Sequence, residues 1–359
     1  MRVEENRPLA PFTTFGIGGP ARWFVEAAGE EEIVEAVEWT ARQGVGLFVL
    51  GGGSNLLVAD SGFDGLVLHI AAAGVCVTEI AGQPSHRIYS CAAGENWDSF
   101  VERAAQEKCA GIECMAGIPG TVGGTPVQNV GAYGQEVASA IVLVRGYDRI
   151  AREFVEFFAA ECGFSYRRSR FNSTDRGRYI VTRVDYRLQI DGAPTLNYAD
   201  LQRKFAGRST TRPPALTEVT AAVRQIRQSK GMLLVEGDPD CRSAGSFFKN
   251  PVVTEDHFRR IAAATTEEPP RFPPGPGPEN AGRVKLSAAW LIEHAGFAKG
   301  YARGAAAISS RHTLAIVNRG RAGAAEILAL AAEIEFSVNG KFGIRLEREP
   351  VILGLGSSG

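Results

Sequence analysis

The chain has 359 residues, too many for one small core, and its 45% hydrophobic and 22% charged content is that of an ordinary globular protein. A formal net charge of −1 offers no global basic field to nucleic acid or an anionic membrane, and no apolar run approaches the ~20 residues that span a bilayer. The opening residues, MRVEENRPLAPFTTF, lack the basic-then-apolar layout of a secretory leader, so a cytoplasmic protein is expected. Six cysteines show no CxxC and no zinc spacing, and they read as small buried hydrophobes in a reducing compartment. Five scattered histidines form no HExxH or His/Cys cluster, so no metal is expected.

In chain order, Gly16 to Ala21 formally fits GxGxxA, but a β-rich run (Arg22 to Ala27) follows where a dinucleotide fingerprint requires a helix. The match is read as accidental. A helix is expected over Glu30–Gln43, with Ile33, Ala36, Val37, Thr40 and Ala41 on one face, acids in the first turn and Gly44 as its stop. Val45 to Leu50 is a strand that runs into the turn LGGGSN, and LLVADSGFDGLVLHI is again strand-like. Strand, glycine turn, strand is not the setting of a P-loop or Rossmann unit, and there is no GKS or GKT. After a β-rich stretch (Ile88 to Ala93), a second amphipathic helix is built on Trp97, Phe100, Val101 and Ala104.

That helix leads into AGIPGTVGGTPVQNVGAYGQE, residues 116–136, around which the chain is organised. Gly120, Gly123, Gly124, Gly131 and Gly134 permit positive φ and close backbone approach, while Pro119 and Pro126 fix local φ. Such backbone presents N–H groups in nests that hold phosphate, with Gln128, Asn129 and Tyr133 as polar handles. With LGGGSN, the chain carries two glycine cradles, which suggests a dinucleotide held in a manner that is not Rossmann. Short β runs around GFSYRRSRFN occupy 140–188, and a helix spans Thr217 to Ser229. DPDCRSAGSFFKNP looks like a structured loop, followed by a short helix near Glu255 to Ala264. EEPPRFPPGPGPENAG reads as a solvated insertion without a fixed fold. A helix capped by Ser287, a strand from Thr313 to Asn318, a helix from Ala324 to Asn339 ending at Gly340 and the strand GIRLEREPVIL complete the chain.

Taken together, TTFGIGGPA, LGGGSN, GIPGTVGGTPVQNVGAYG, YRRSRF, AGSFFKNP, KLSAAWLI and LERE stand in the order and approximate spacing of one family. The chain resembles the UDP-N-acetylenolpyruvoylglucosamine reductases (UDP-N-acetylmuramate dehydrogenases), flavoenzymes of bacterial peptidoglycan synthesis, over nearly its whole length. The resemblance implies an α+β flavoprotein with an FAD-binding domain of the vanillyl-alcohol-oxidase/para-cresol-methylhydroxylase type in two subdomains (1–70 and 71–228). A C-terminal α+β substrate-binding domain (229–340) and a terminal strand and tail (341–359) would follow. FAD, expected to be non-covalent because LGGGSN holds no His or Cys, would be bound by Gly51, Gly52, Gly53, Ser54 and Asn55. Ile118, Pro119, Gly120, Gly123, Gly124 and Asn129 would line the rest of the cofactor. Cys109 and Cys114, just before the second cradle, are the only nearby thiols.

Carried over residue by residue, the resemblance makes Arg167, Ser246 and Glu349 catalytic and points Tyr133, Tyr166, Tyr198, Lys230, Asn250 and His312 toward the substrate. Alone, YRR is a solvated basic turn and Ser246 a loop residue. In the family setting Arg167 forks onto the substrate carboxylate, with Arg168 a neighbour one position off. Ser246 would donate a proton, and Glu349 stands where LEREPV replaces the family's LEPEV, with Glu347 as its rival. The implied reaction passes a hydride from NADPH through FAD to C3 of UDP-N-acetylglucosamine enolpyruvate and a proton to C2, giving UDP-N-acetylmuramate. No nucleic acid or membrane partner is expected, and a monomer is. A flavin oxidase reoxidised by oxygen is disfavoured by AGSFFKNP and the late Glu349. An inactive nucleotide-sugar-binding protein is disfavoured by the retained Tyr166, Arg167, Ser246 and Glu349.

Overall fold

The computed structural model describes residues 1–207, 213–275 and 280–355. The chain divides into two compact units, one of Met1–Arg7, Ala21–Gly52 and Asp64–Gln228, the other of Pro8–Pro20, Gly53–Phe63 and Ser229–Gly359. The turn LGGGSN is therefore split, Gly51 and Gly52 belonging to the first unit and Gly53, Ser54 and Asn55 to the second.

Among the described residues the first unit holds two large sheets and a two-stranded ribbon, Gly131–Ala132 with Gln135–Glu136. One sheet has the strand order Glu4–Pro8, Pro20–Ala27, Phe63–Ile70, Gly46–Leu50, the last two running parallel. Helix α1 (Glu30–Gln43) buries Ile33, Ala36, Val37 and Thr40, carries Glu30, Glu31 and Glu32 at its positive end and stops at Gly44 in the left-handed region, φ 65°. The second sheet is antiparallel, in the order Glu153–Phe158, Ile141–Asp148, Tyr179–Ile190, His86–Ala92, Val75–Glu79, with Cys109–Ala110 also paired to Tyr179–Ile190. Helix α2 (Trp97–Gln106) starts where Asn96 Oδ1 accepts the Ser99 N–H, and it brings Trp97 and Phe100 against Tyr89 and Tyr186 at ring separations of 5.3–5.9 Å. Tyr186, fully buried on the sheet, shares a 2.6 Å hydrogen bond with the Thr125 hydroxyl. That bond fixes the glycine stretch on the unit's core. Helices α3 (Ala199–Lys204) and α4 (Leu216–Ser229) follow, α3 being a short element with no periodic signal in the sequence.

The second unit packs α5 (Glu255–Ala263), α6 (Ala288–His294) and α7 (Ala324–Phe342) around Phe247, Phe248, Leu291, Ile327, Leu330 and Ile334. Two three-stranded sheets complete it, Val252–Thr254, Arg283–Leu286, Arg271–Phe272 and Ala302–Arg303, Ala306–Ile308, Ile316–Asn318. Val351–Leu353 runs parallel to Leu56–Val58. The glycines that imitate a dinucleotide fingerprint have a packing task here: a Cβ at Gly19 would lie 2.3 Å from the Asp60 carbonyl oxygen.

Several local expectations are corrected. Helix α7 runs through Gly340 to Phe342, because the buried Phe342 ring packs on Trp290 and Gly343 (φ 64°) supplies the left-handed stop one turn later. Of GIRLEREPVIL only Val351–Leu353 is strand, and the strand expected from Thr313 begins at Ile316 because Ala315 turns back onto His312. LLVADSGFDGLVLHI is two strands, Leu56–Val58 and Phe63–Ile70, broken at Gly62 (φ 80°). The Pro-rich segment is not free of structure: Pro269 is buried, the Pro270 carbonyl accepts the Ser287 N–H, and Arg271–Phe272 pairs with Leu286 and Lys285. Residues 276–279 of that segment lie outside the described residues. Cys91, Cys109, Cys114 and Cys162 are buried, whereas Cys76 is exposed and Cys241 half-buried.

Candidate active site

In the first unit the glycine stretch is folded tightly against the end of the strand Gly46–Leu50. A Cβ at Gly52 would lie 2.5 Å from the Gly120 Cα, and one at Gly51 would lie 2.9 Å from the Thr121 hydroxyl. Gly123 is closed on by Ala93, 2.6 Å from where its Cβ would stand. Only glycine fits at these contacts. Ile118, Pro119 and Gly120 are half-buried, and Gly124 is exposed. The Thr121 Oγ1 is buried and has no hydrogen-bond partner among the described residues. A buried hydroxyl without a partner is costly unless a ligand completes it, and with the Gly51–Gly52 and Gly120 backbone beside it the cradle suits the phosphate oxygens of a dinucleotide.

Asn129 serves the cradle from behind. Its Nδ2 donates to the Ser165 carbonyl and to Glu136 Oε2, both at 3.0 Å, and its Oδ1 accepts the Ala138 N–H. Its amide is spent within the protein at 1% exposure, so it acts through the loop that it holds rather than as a side-chain donor to a ligand. That loop carries Tyr166 and Arg167. Arg167 is half-buried with φ 55°, and its guanidinium donates to the Gly131 carbonyl at 2.8 Å, while Asn172 Nδ2 holds the Arg167 carbonyl at 3.1 Å. Arg168 is exposed. The two arginines are thus distinguished: the first is oriented toward the glycine stretch, and the second is a surface residue.

Tyr133, 8% exposed and also at positive φ, meets the half-exposed Tyr198 edge to face, ring centres 5.2 Å apart. Tyr198 precedes α3, and its segment is anchored at Thr195. The fully buried Glu113 carboxylate accepts the N–H of Thr195 and of Gly111 and the Gln135 Nε2–H, and Cys114 Sγ donates to the Thr195 carbonyl. Burial pushes the Cys114 thiol well above its ordinary pKa, which makes it inert.

The reading of the sequence passed over Arg227. It is 6% exposed, donates from Nε to the Gly117 carbonyl at 3.0 Å and hydrogen-bonds Tyr133; burial lowers its pKa against those neighbours. The signal was present: Val219, Val223 and Arg227 follow at four-residue spacing, so a charge stands on the apolar face of α4. Thr121 and Glu113 had no such signal.

In the second unit the segments that carry Ser246 and Glu349 are joined by backbone pairing. The Glu349 N–H donates to the Phe247 carbonyl at 2.9 Å, the Lys249 N–H donates to the Glu347 carbonyl, and Phe248 bridges Arg348 antiparallel. Phe247 and Phe248 are anchors at 0% and 1% exposure, which present the half-buried Ser246 from a fixed loop. Glu347 is exposed and ion-paired with Lys249 at 2.5 Å, whereas Glu349 is half-buried. Asn250 Oδ1 accepts the Ala288 N–H at the start of α6, its Nδ2 remaining for other partners. Lys230 is half-buried ahead of Gly231, where a Cβ would strike Asp240 and Arg311. Asp240, 1% exposed, binds Ser310, Arg311 and Arg319, and the contacts of Asp238 and Arg311 tie the same loops, setting Lys230 and the half-buried His312 on one framework. Gly53 allows the chain to pass Phe12, whose carbonyl oxygen would be 1.7 Å from a Cβ, and Asn55 Nδ2 donates to the Glu349 carbonyl at 3.2 Å. Ser54 is half-buried in the same turn. Among the described residues no cluster of His, Cys, Asp or Glu could hold a metal ion.

Residues 21–148 match the family described as FAD binding domain, and residues 238–353 match that described as UDP-N-acetylenolpyruvoylglucosamine reductase, C-terminal domain. The UDP-N-acetylenolpyruvoylglucosamine reductase of Thermobifida fusca is 46% identical over 98% of each chain, and that of Streptomyces coelicolor is 45% identical over 98% of this chain and 90% of the other. The crystal structure of UDP-N-acetylenolpyruvylglucosamine reductase from Thermus caldophilus superposes on 99% of this chain and 100% of its own, with a TM-score of 0.65 and 28% identity. The expected α+β class with an FAD-binding domain holds. At this identity and coverage, the chain belongs to the UDP-N-acetylenolpyruvoylglucosamine reductase family.

Proposed function

We propose that the chain reduces UDP-N-acetylglucosamine enolpyruvate to UDP-N-acetylmuramate, a step of bacterial peptidoglycan precursor synthesis, with NADPH as electron source and FAD as bound carrier. The observation that carries the reading is the backbone pairing of Glu349 with Phe247, which lays the Glu349 segment along the loop that carries Ser246. Bound FAD supplies the redox chemistry, relaying a hydride from NADPH to C3 of the enolpyruvyl group. The backbone of Gly51, Gly52, Gly53, Ser54 and of the 118–124 stretch, with the Thr121 hydroxyl, would hold its phosphates and flank it. Holding is non-covalent in this reading, since Cys109 and Cys114 are both buried in the core.

Arg167 orients the substrate carboxylate and stabilises the charge that grows on it as C2 becomes enolate-like. Glu349 shares that task, and Ser246 delivers the proton to C2. Lys230, Asn250 and His312 hold the nucleotide-sugar portion, with Tyr133, Tyr166 and Tyr198 as further contacts. The same reading takes the enzyme as a cytoplasmic monomer without nucleic-acid or membrane partners. Among the described residues, no helix is long and apolar enough to cross a membrane.

A purified yellow sample should bleach anaerobically with NADPH and regain its colour when the enolpyruvyl substrate is added. Recovery with oxygen but not with that substrate would make it an oxidase. Failure to bleach would leave a binding protein. Acid precipitation should release the colour into the supernatant, and colour retained on the pellet would refute non-covalent binding.

A further inference from the structure

The segment LEREPV places Arg348 directly before Glu349. Arginine, unlike proline, leaves the segment free unless something else holds it. In this chain something does. Arg348 Nε donates to Glu335 Oε1 at 2.6 Å and its terminal nitrogen to Glu335 Oε2 at 2.8 Å, a fork onto the middle of α7. Both side chains are largely shielded, at 30% and 24% exposure, unlike the 72% exposed Glu347. A two-point planar pair of this kind fixes orientation as well as distance.

The segment that Arg348 anchors is held on its other side by backbone. Lys249 and Glu349 N–H groups bond the carbonyls of Glu347 and Phe247, and Asn55 both donates to the Glu349 carbonyl and accepts the Val351 N–H at 2.9 Å. Successive side chains of an extended segment leave it in opposite directions. With Arg348 fixed to α7, rotation of the segment about its length is blocked, and the direction taken by Glu349 is fixed with it.

We propose that Glu335 and Arg348 are positioning residues for Glu349, a side-chain clamp on the segment that carries it. The proposal rests on the reading of Glu349 as the acid of the enolpyruvyl half-reaction. Neither clamp residue is required to touch substrate or cofactor. Displacement of a catalytic group by about 1 Å costs roughly 100-fold, and that is the scale expected.

The test uses full-length holoenzyme and separates the half-reactions by anaerobic stopped-flow. In Arg348→Ala, recovery of flavin colour with the enolpyruvyl substrate should slow by about 10- to 100-fold. Bleaching by NADPH should stay within about twofold, and KM for the enolpyruvyl substrate within about threefold, since only orientation is lost. Arg348→Lys and Glu335→Gln, each keeping one hydrogen bond of the fork, should lose less, and they serve if the alanine variant fails to fold. Deuterium exchange supplies a readout independent of turnover: protection of the Glu349 and Val351 amides should fall in Arg348→Ala while α7 keeps its own. Adding Glu349→Gln to Arg348→Ala should cost little beyond Glu349→Gln alone, because the clamp acts through that side chain. If Glu349→Gln cripples recovery and the clamp variants do not, the clamp is overturned while Glu349 keeps its role. If Glu349→Gln itself leaves recovery intact, the underlying reading falls and the clamp with it. Equal slowing of both half-reactions would show a merely structural pair.

Discussion

Replacing Ser246 by alanine separates folding from chemistry with unusual clarity. The residue is half-buried, and its hydroxyl makes no hydrogen bond among the described residues, so nothing inside the protein is left unpaired by its removal. The loop is held by other groups: the Phe247 N–H donates to the Leu314 carbonyl at 2.7 Å, the Phe247 carbonyl accepts from Glu349, and both phenyl rings are buried. Stability should therefore change by no more than about 0.5 kcal/mol, or about 2 °C in Tm. The hydroxyl has no task when NADPH reduces the flavin, and that step should stay near the wild-type rate. Delivery of the C2 proton should slow by roughly 10²–10⁴, the range for losing a positioned general acid, equivalent to about 2.7–5.4 kcal/mol of barrier. Ser246→Cys should recover part of the loss, since a thiol can donate from nearly the same place. Anaerobic stopped-flow reads the two halves from the bleaching and the return of flavin absorbance. If colour returns in Ser246→Ala within a few-fold of wild type, another donor protonates C2 and the serine is a loop residue.

Arg167→Lys should slow enolpyruvyl reduction by about 100-fold with flavin reduction intact, because lysine keeps the charge but not the fork; the same loss in Arg168→Lys instead would place the function one residue later. Asp148, 2% exposed, is held below the ordinary carboxylate range first by its hydrogen bond with Arg178. A depressed carboxylate contributes stability that is present above its unfolded pKa and lost as pH falls through the folded one, so Asp148→Asn should lower the urea midpoint at pH 7 and flatten its decline in acid. An unchanged acid limb would show that the pair contributes nothing to the pH dependence. Deleting Glu268 to Asn280 removes buried Pro269, the Pro270 acceptor and the strand Arg271–Phe272, and should cost about 2 kcal/mol in denaturant unfolding. An unchanged midpoint would restore the view of that segment as an unstructured insertion.

The parts of this molecule legible in its sequence are those whose cause is local. Helix α1 begins and ends where its acids, apolar stripe and Gly44 put it, and Ser287 caps the helix it announces. The parts that were not legible depend on residues far apart in the chain. Nothing near Asn55 signals that its side chain holds the carbonyl of Glu349, 294 residues away, and nothing near Arg348 names Glu335 as its partner. The glycines show the difference most clearly. Both cradles were expected to be glycine-rich so that phosphate could approach the backbone, yet Gly52 and Gly53 are closed on by Gly120 and Phe12 of the protein itself. Glycine at those positions is required by the chain's own packing, and it would be required whether or not a dinucleotide were bound. What speaks for a ligand is therefore not the glycine count. It is the Thr121 hydroxyl, which the fold buries beside that backbone and leaves without a partner among the described residues, a costly state that a bound phosphate would relieve.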